Sequence, residues 1–141
     1  MKVARVARRV ALLGALLALS SCASWHVLQP TTANNVQVGE LMMYVTSAEY
    51  ADSGGRVKVV IVLDNRTQQP QQFDPQWVQL RGASGAAYPA ANVHPPMATA
   101  VMPFSRLQLV YLFRRVPQPD TGQMALLVAG TTTMQFAGFS R

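Results

Sequence analysis

Two stretches of strict two-residue alternation constrain this chain more than any other feature. In Arg56 to Asp64, Val57, Val59, Ile61 and Leu63 fall on one side and Lys58, Val60, Val62 and Asp64 on the other. In Arg106 to Arg115, Leu107, Leu109, Tyr111 and Phe113 alternate with Gln108, Val110, Leu112 and Arg114. Period two sends successive side chains to opposite faces of a pleated strand, whereas a helix needs apolar residues three and four apart. The first stretch is also rich in valine and isoleucine, whose stiff χ1 suits a strand. A further strand is read where Leu41, Met43 and Val45 alternate with Met42, Tyr44 and Thr46. Others are read near Trp77 to Arg81, around Tyr88, from Met97 to Met102 as an edge, and over Met124 to Ala129 and Thr131 to Phe136. Asp52-Ser53-Gly54-Gly55 and Gly82-Ala83-Ser84-Gly85 are turns, because glycine tolerates positive φ. Pro89, Pro95 and Pro96 mark a long loop, since proline cannot donate to a sheet ladder. Met124 to Val128 also reads as a helix, because Met, Ala and Leu are good helix formers. Short alternating strands at this spacing predict an all-β, antiparallel sandwich or barrel.

The N-terminus follows a different rule. Lys2, Arg5, Arg8 and Arg9 precede an apolar run from Val10 to Leu19, broken only by Gly14, and then the small residues Ser20 and Ser21. That order reads as a secretory signal helix, and the run is too short to span a bilayer. Cys22 follows, and it is the single cysteine of the chain, so no intramolecular disulfide forms. A free thiol in an oxidising compartment needs a reason. Leu19-Ser20-Ser21-Cys22 resembles the lipobox of bacterial lipoprotein precursors. The resemblance implies that Cys22 carries a covalent lipid (palmitate among its acyl chains) and that residues 1–21 are removed. One acyl chain holds a protein to a membrane only marginally, and two or more hold it stably. In the lipoproteins it resembles, an Asp after the cysteine favours the inner membrane, so Ala23 implies the outer membrane, facing the periplasm.

Removing the signal changes the charge. Without those four basic residues, eight of the 12 Lys and Arg remain against six Asp and Glu, a net charge of +2. The high isoelectric point is therefore a targeting feature and not a nucleic-acid footprint. The expected organisation is a signal peptide over 1–21, a flexible polar tether over 22–35 and one sandwich domain over 36–141. Trp25 lies three residues from the lipid site. It reads either as a headgroup-level anchor, where Trp is enriched, or as an ordinary exposed aromatic.

The run Val57 to Thr67 with Pro70, then Phe73, Leu80 and Gly85 to Tyr88, then Leu109 to Phe113 and Val116-Pro117, is similar to a bacterial family. Its members are immunoglobulin-like sandwich domains of unknown function, frequent in lipoproteins. The resemblance implies an immunoglobulin-like antiparallel sandwich of about seven strands and no activity. The stretch from Pro89 to Pro103 is longer than the corresponding connection of that family.

Catalytic chemistry is thin. Glu40, Glu49, Asp52, Asp64, Asp74 and Asp120 are scattered, with no spacing that pairs them on one strand face. Gly82 to Ala86 fails as a nucleophile elbow, because Ala86 stands where glycine is needed. No glycine-rich phosphate loop is present. Asn65-Arg66-Thr67 is a glycosylation sequon that reads as a turn. No enzyme activity and no cofactor beyond the lipid are expected. One metal reading competes: His94, Met97 and Met102 place an imidazole and two thioethers in one loop, a donor set that suits Cu(I), with Met42 and Met43 as further sulfur. Against it, Met97 and Met102 read as core fillers and His94 as an exposed loop residue.

The sharper expectation is a surface. Both strong strands keep apolar residues on the face that also carries charges: Val60 and Val62 on one, Val110 and Leu112 on the other. A solvated sheet face alternates more cleanly. If the strands are neighbours, these residues form an apolar stripe rimmed by Lys58, Arg106 and Arg114. The stripe reads either as a contact for another envelope protein or as ordinary cross-strand packing.

Overall fold

The structure, a computed structural model, describes residues 24–137. Within them the strands are β1 (His26–Val27), β2 (Gln29–Pro30), β3 (Asn35–Val38), β4 (Leu41–Ala51), β5 (Arg56–Asn65), β6 (Gln71–Phe73) and β7 (Val78–Arg81). Then come β8 (Ala87–Pro89), β9 (Asn92–His94), β10 (Thr99–Val101), β11 (Arg106–Phe113), β12 (Gln123–Val128) and β13 (Thr131–Ala137). Short 3-10 turns at Pro75–Trp77 and Gln118–Gly122 precede β7 and β12. Every pairing is antiparallel. One sheet runs β1-β4-β5-β11-β9, with β3 also on β4, and the other runs β2-β13-β12-β7-β8. β6 and β10 form a separate two-stranded ribbon.

The hairpins β4-β5, β7-β8 and β12-β13 each stay within one sheet, and the chain crosses between the sheets elsewhere. β4, β5, β11 and β9 lie together in that order, as do β13, β12, β7 and β8. The arrangement is that of an antiparallel β-sandwich. The alternation of the sequence sets its core. Val57, Val59, Ile61 and Leu63 from β5 and Leu109, Tyr111 and Phe113 from β11 are buried against Val78, Leu80, Met124, Leu126, Met134 and Phe136 from the facing sheet. Tyr111 keeps its hydroxyl satisfied by donating to the carbonyl of Pro75 at 3.0 Å.

A bulge corrects β4. Leu41, Met43 and Val45 point inward, and continuing the alternation would bury Ser47 and Glu49. The register shifts between Val45 and Ser47 instead, so that Ala48 and Tyr50 go inward. An extra residue in one strand flips every later side chain to the other face. Glu49 then faces out and meets Lys58 Nζ at 2.6 Å.

Two expectations need correction, and one pair of alternatives is decided. Residues 26–30 are not tether. β1 pairs with the end of β4, β2 pairs with β13, and Leu28 between them is buried, its N–H donating to Ala48 O at 2.8 Å. One apolar residue in a polar stretch has no period, yet it closes the gap where the two sheets part. The proline-rich stretch is not one loop either. β9 adds an edge to β11 and β10 pairs with β6, each bounded by prolines that need no ladder donor at those positions. Met124 to Val128 is strand, because burial between β13 and β7 overrides helix propensity. The signal segment, Cys22 and Ala23 lie outside the described residues.

Candidate interaction surface

The outward face of the β4-β5-β11-β9 sheet brings the stripe together. β5 and β11 are neighbours, and Val60 stands directly opposite Val110, with Val62 opposite Gln108 and Leu112 opposite Lys58. All four stripe residues are half-buried. Directly opposed residues have Cβ atoms about 5 Å apart, so Val60 and Val110 touch across the strands. The stripe extends beyond the sequence expectation. Tyr44 on β4 is opposite Val62, and His94 on β9 is opposite Val110. Beside Val62, Asn34, Tyr44, Thr46 and Arg106 enclose a hollow of about 450 Å³. Tyr44 was missed because its role depends on register with β5, which alternation within β4 does not reveal.

Charges frame this face at both ends. At one end Asp64 Oδ2 accepts from Arg66 Nε at 3.0 Å and lies 3.6 Å from Arg106 Nη2, while Arg66 Nη2 donates to Tyr44 Oη at 2.7 Å. At the other, Lys58 pairs with Glu49, and the Trp25 ring lies under both Lys58 Nζ (5.0 Å) and Arg56 Cζ (5.3 Å). The arrangement has an apolar middle and a polar rim, the composition of a protein-contact patch.

Two polar clusters are structural. Asn65, fully buried, donates through Nδ2 to Gln69 O (2.8 Å) and Val101 O (2.9 Å), and its Oδ1 accepts from Thr67 N (3.0 Å) and Thr67 Oγ1 (2.8 Å). All four of its bonding positions are used, and they join the end of β5 to β10. Asp120 accepts from Tyr88 Oη at 2.5 Å, Ser84 Oγ at 2.8 Å and Ser84 N at 3.1 Å. These bonds, that from Tyr88 first, hold the Asp120 carboxyl below its usual range, and the same bond pushes the Tyr88 phenol up to about 12. A serine, an acid and a tyrosine together invite a catalytic reading. Here Ser84 gives its proton to an already ionised acceptor, with no histidine or lysine as base among the residues bonded to Asp120. The cluster clamps the turn between β7 and β8 to the turn before β12.

The residues of the metal reading lie on or beside two short strands. His94 ends β9, Met97 follows Pro96, and Met102 follows β10. Met97 and Met102 are exposed, so neither fills the core. Met43 is buried and Met42 faces outward, so the two point to opposite sides of the sheet. Among the described residues, no three His, Cys, Asp or Glu side chains group as a metal site. Phe104 is exposed as well. Phe104 adopts φ of 52°, a region that disfavours a bulky side chain.

No protein-family model matches the chain. No curated protein matches it. Among solved structures, the yjhA protein from Bacillus subtilis is similar at 8% identity, over 64% of this chain and 75% of that one, with a TM-score of 0.48.

Proposed function

We propose that the protein is an exported lipoprotein, acylated at Cys22, whose single sandwich acts in the bacterial envelope as a non-catalytic contact module. The reading places it at the outer membrane, facing the periplasm. The observation that carries the contact role is the Val60–Val110 pair, set among Val62, Leu112 and Tyr44 and rimmed by ion pairs. Cross-strand packing alone needs neither the hollow beside Val62 nor an apolar middle on a face that no further layer covers among the described residues. The sequence order of basic segment, apolar run, small residues and cysteine supports the anchor. Mild detergent extraction followed by identification of co-purifying proteins tests the role. An envelope partner recovered with wild type and lost in the double variant Val60→Lys/Val110→Lys supports it. Equal recovery with a folded variant removes the surface.

A further inference from the structure

The end of the sandwich from which the chain leads back to Cys22 carries a basic and aromatic cluster. β4 ends at Ala51, β5 begins at Arg56 and β11 ends at Phe113, all at one level, since Ala51 pairs with Arg56 and Val57 with Phe113. Trp25 sits here, one residue before His26, which pairs with Tyr50. Arg56, Lys58, Arg114 and Arg115 gather at this end, half of the eight basic residues that follow Cys22, against Glu49 and Asp52. The platform is fixed. Arg115 N donates to Gly54 O at 3.2 Å and Val116 N to Gly55 O at 2.9 Å. A Cβ on Gly55 would collide with the Val116 carbonyl.

We infer that this end of the sandwich, through Trp25, Arg56, Arg114 and Arg115, seats directly on anionic phospholipid headgroups. The inference rests on the lipid anchor proposed for Cys22. Trp25 is three steps along the chain from Cys22, and an extended chain covers at most about 3.6 Å per residue, so Trp25 stays within about 11 Å of the anchor. The headgroup layer is itself about 5–8 Å deep on each side of the hydrocarbon. A tether over 22–35 would have let the domain float well clear; pairing of β1 and β2 removes that slack. Trp is the side chain enriched at this depth, and the Trp25 ring already lies against Arg56 and Lys58. Juxtamembrane arginines are drawn to anionic lipid and screened by salt. Seated so, the sheet that carries the Val60–Val110 stripe stands up from the membrane with its outward face open to a partner.

The test uses the lipid-modified protein reconstituted into phosphatidylcholine vesicles with or without phosphatidylglycerol. Trp77, the second of two tryptophans, lies at the opposite end of the fold, where its carbonyl accepts from Ala129 N after β12. Trp77→Phe therefore leaves Trp25 as the single reporter. Quenching of Trp25 by brominated phospholipid is expected to rise several-fold when phosphatidylglycerol is included. It should fall back in Arg114→Glu/Arg115→Glu, and in the parent protein at high salt. Flotation separates the two claims. Flotation with both lipids but with quenching indifferent to phosphatidylglycerol and salt overturns the headgroup seat and leaves the anchor. Flotation only with phosphatidylglycerol supports the seat and removes the anchor; flotation with neither overturns both.

Discussion

Tyr88 donates its hydroxyl to Asp120 Oδ2 at 2.5 Å and so ties β8 to the turn that opens β12, across 32 residues of sequence. Ser84 binds the same carboxylate through both its backbone N–H and its hydroxyl. Gly82 lies so close that a Cβ there would meet the carboxylate. Removing the acceptor strands three donors, and crowding it displaces them. Asp120→Ala and Gly82→Ala are each expected to lower Tm. Asp120→Asn is expected to cost less than Asp120→Ala, because it keeps one acceptor oxygen. Thermal unfolding by circular dichroism measures the order; a wild-type Tm in Asp120→Ala would show that the clamp carries no stability.

The same bond gives stability a pH dependence at both extremes. Asp120 titrates lower in the folded state than its ordinary 3.8, so the unfolded chain takes up its proton first on acidification. The stabilisation is present above 3.8 and is lost as pH falls through the lowered value. Tyr88 runs the other way. Its folded value is raised from 10.0 to about 12, so its stabilisation is complete below pH 10 and is lost as pH rises towards 12. The Tm difference between wild type and Tyr88→Phe should therefore shrink at both ends. A difference that stays constant from neutral pH to well below 3.8 and up to about 12 contradicts the assignment.

Asn65 is the most constrained side chain at the end of β5. Asn65→Ala leaves the carbonyls of Gln69 and Val101 and the Thr67 N–H without their partner in a buried site. Unsatisfied buried groups cost about 1–3 kcal/mol each, moderated wherever water enters, so a loss of about 2–4 kcal/mol is expected. Asn65→Asp keeps Oδ1 but faces two carbonyls with an oxygen, and it should be no better than Ala. Urea unfolding at neutral pH measures both.

The Val60–Val110 pair permits a test of packing against contact. Both residues are half-buried on an outward face, where a lysine can extend its ammonium to water along its own stem. Val60→Lys/Val110→Lys is expected to lose less than about 2 kcal/mol of stability, within the usual range for single changes away from the core. Association in the envelope is expected to disappear. A folded double variant that retains association would show that the pair serves packing alone.

The sequence made legible the parts of this fold that repeat. In β5 and β11, eight or more residues alternate, and the apolar face of each supplies its buried set, apart from half-buried Leu107 and, on the other face, buried Asp64. The short edges were not legible. β1, β2 and β9 have two or three residues, too few for a period, and Leu28 is a single apolar residue whose burial depends on where two sheets part. The bulge in β4 was not read from the sequence, because the alternation of Leu41, Met43 and Val45 stops before it. The stripe was legible as a surface of four residues but not in its extent, because Tyr44, His94 and the hollow join it through register between strands. The Asp120 clamp was hidden for the same reason. Ser84 and Tyr88 are more than 30 residues from Asp120, and no local pattern announces the pairing.

Palmitate labelling in cells tests the central claim most directly, because both the anchor and the orientation it imposes depend on Cys22. Wild type is expected to incorporate label and to fractionate with membranes, and Cys22→Ser to incorporate none. Equal labelling of the two proteins would contradict the account.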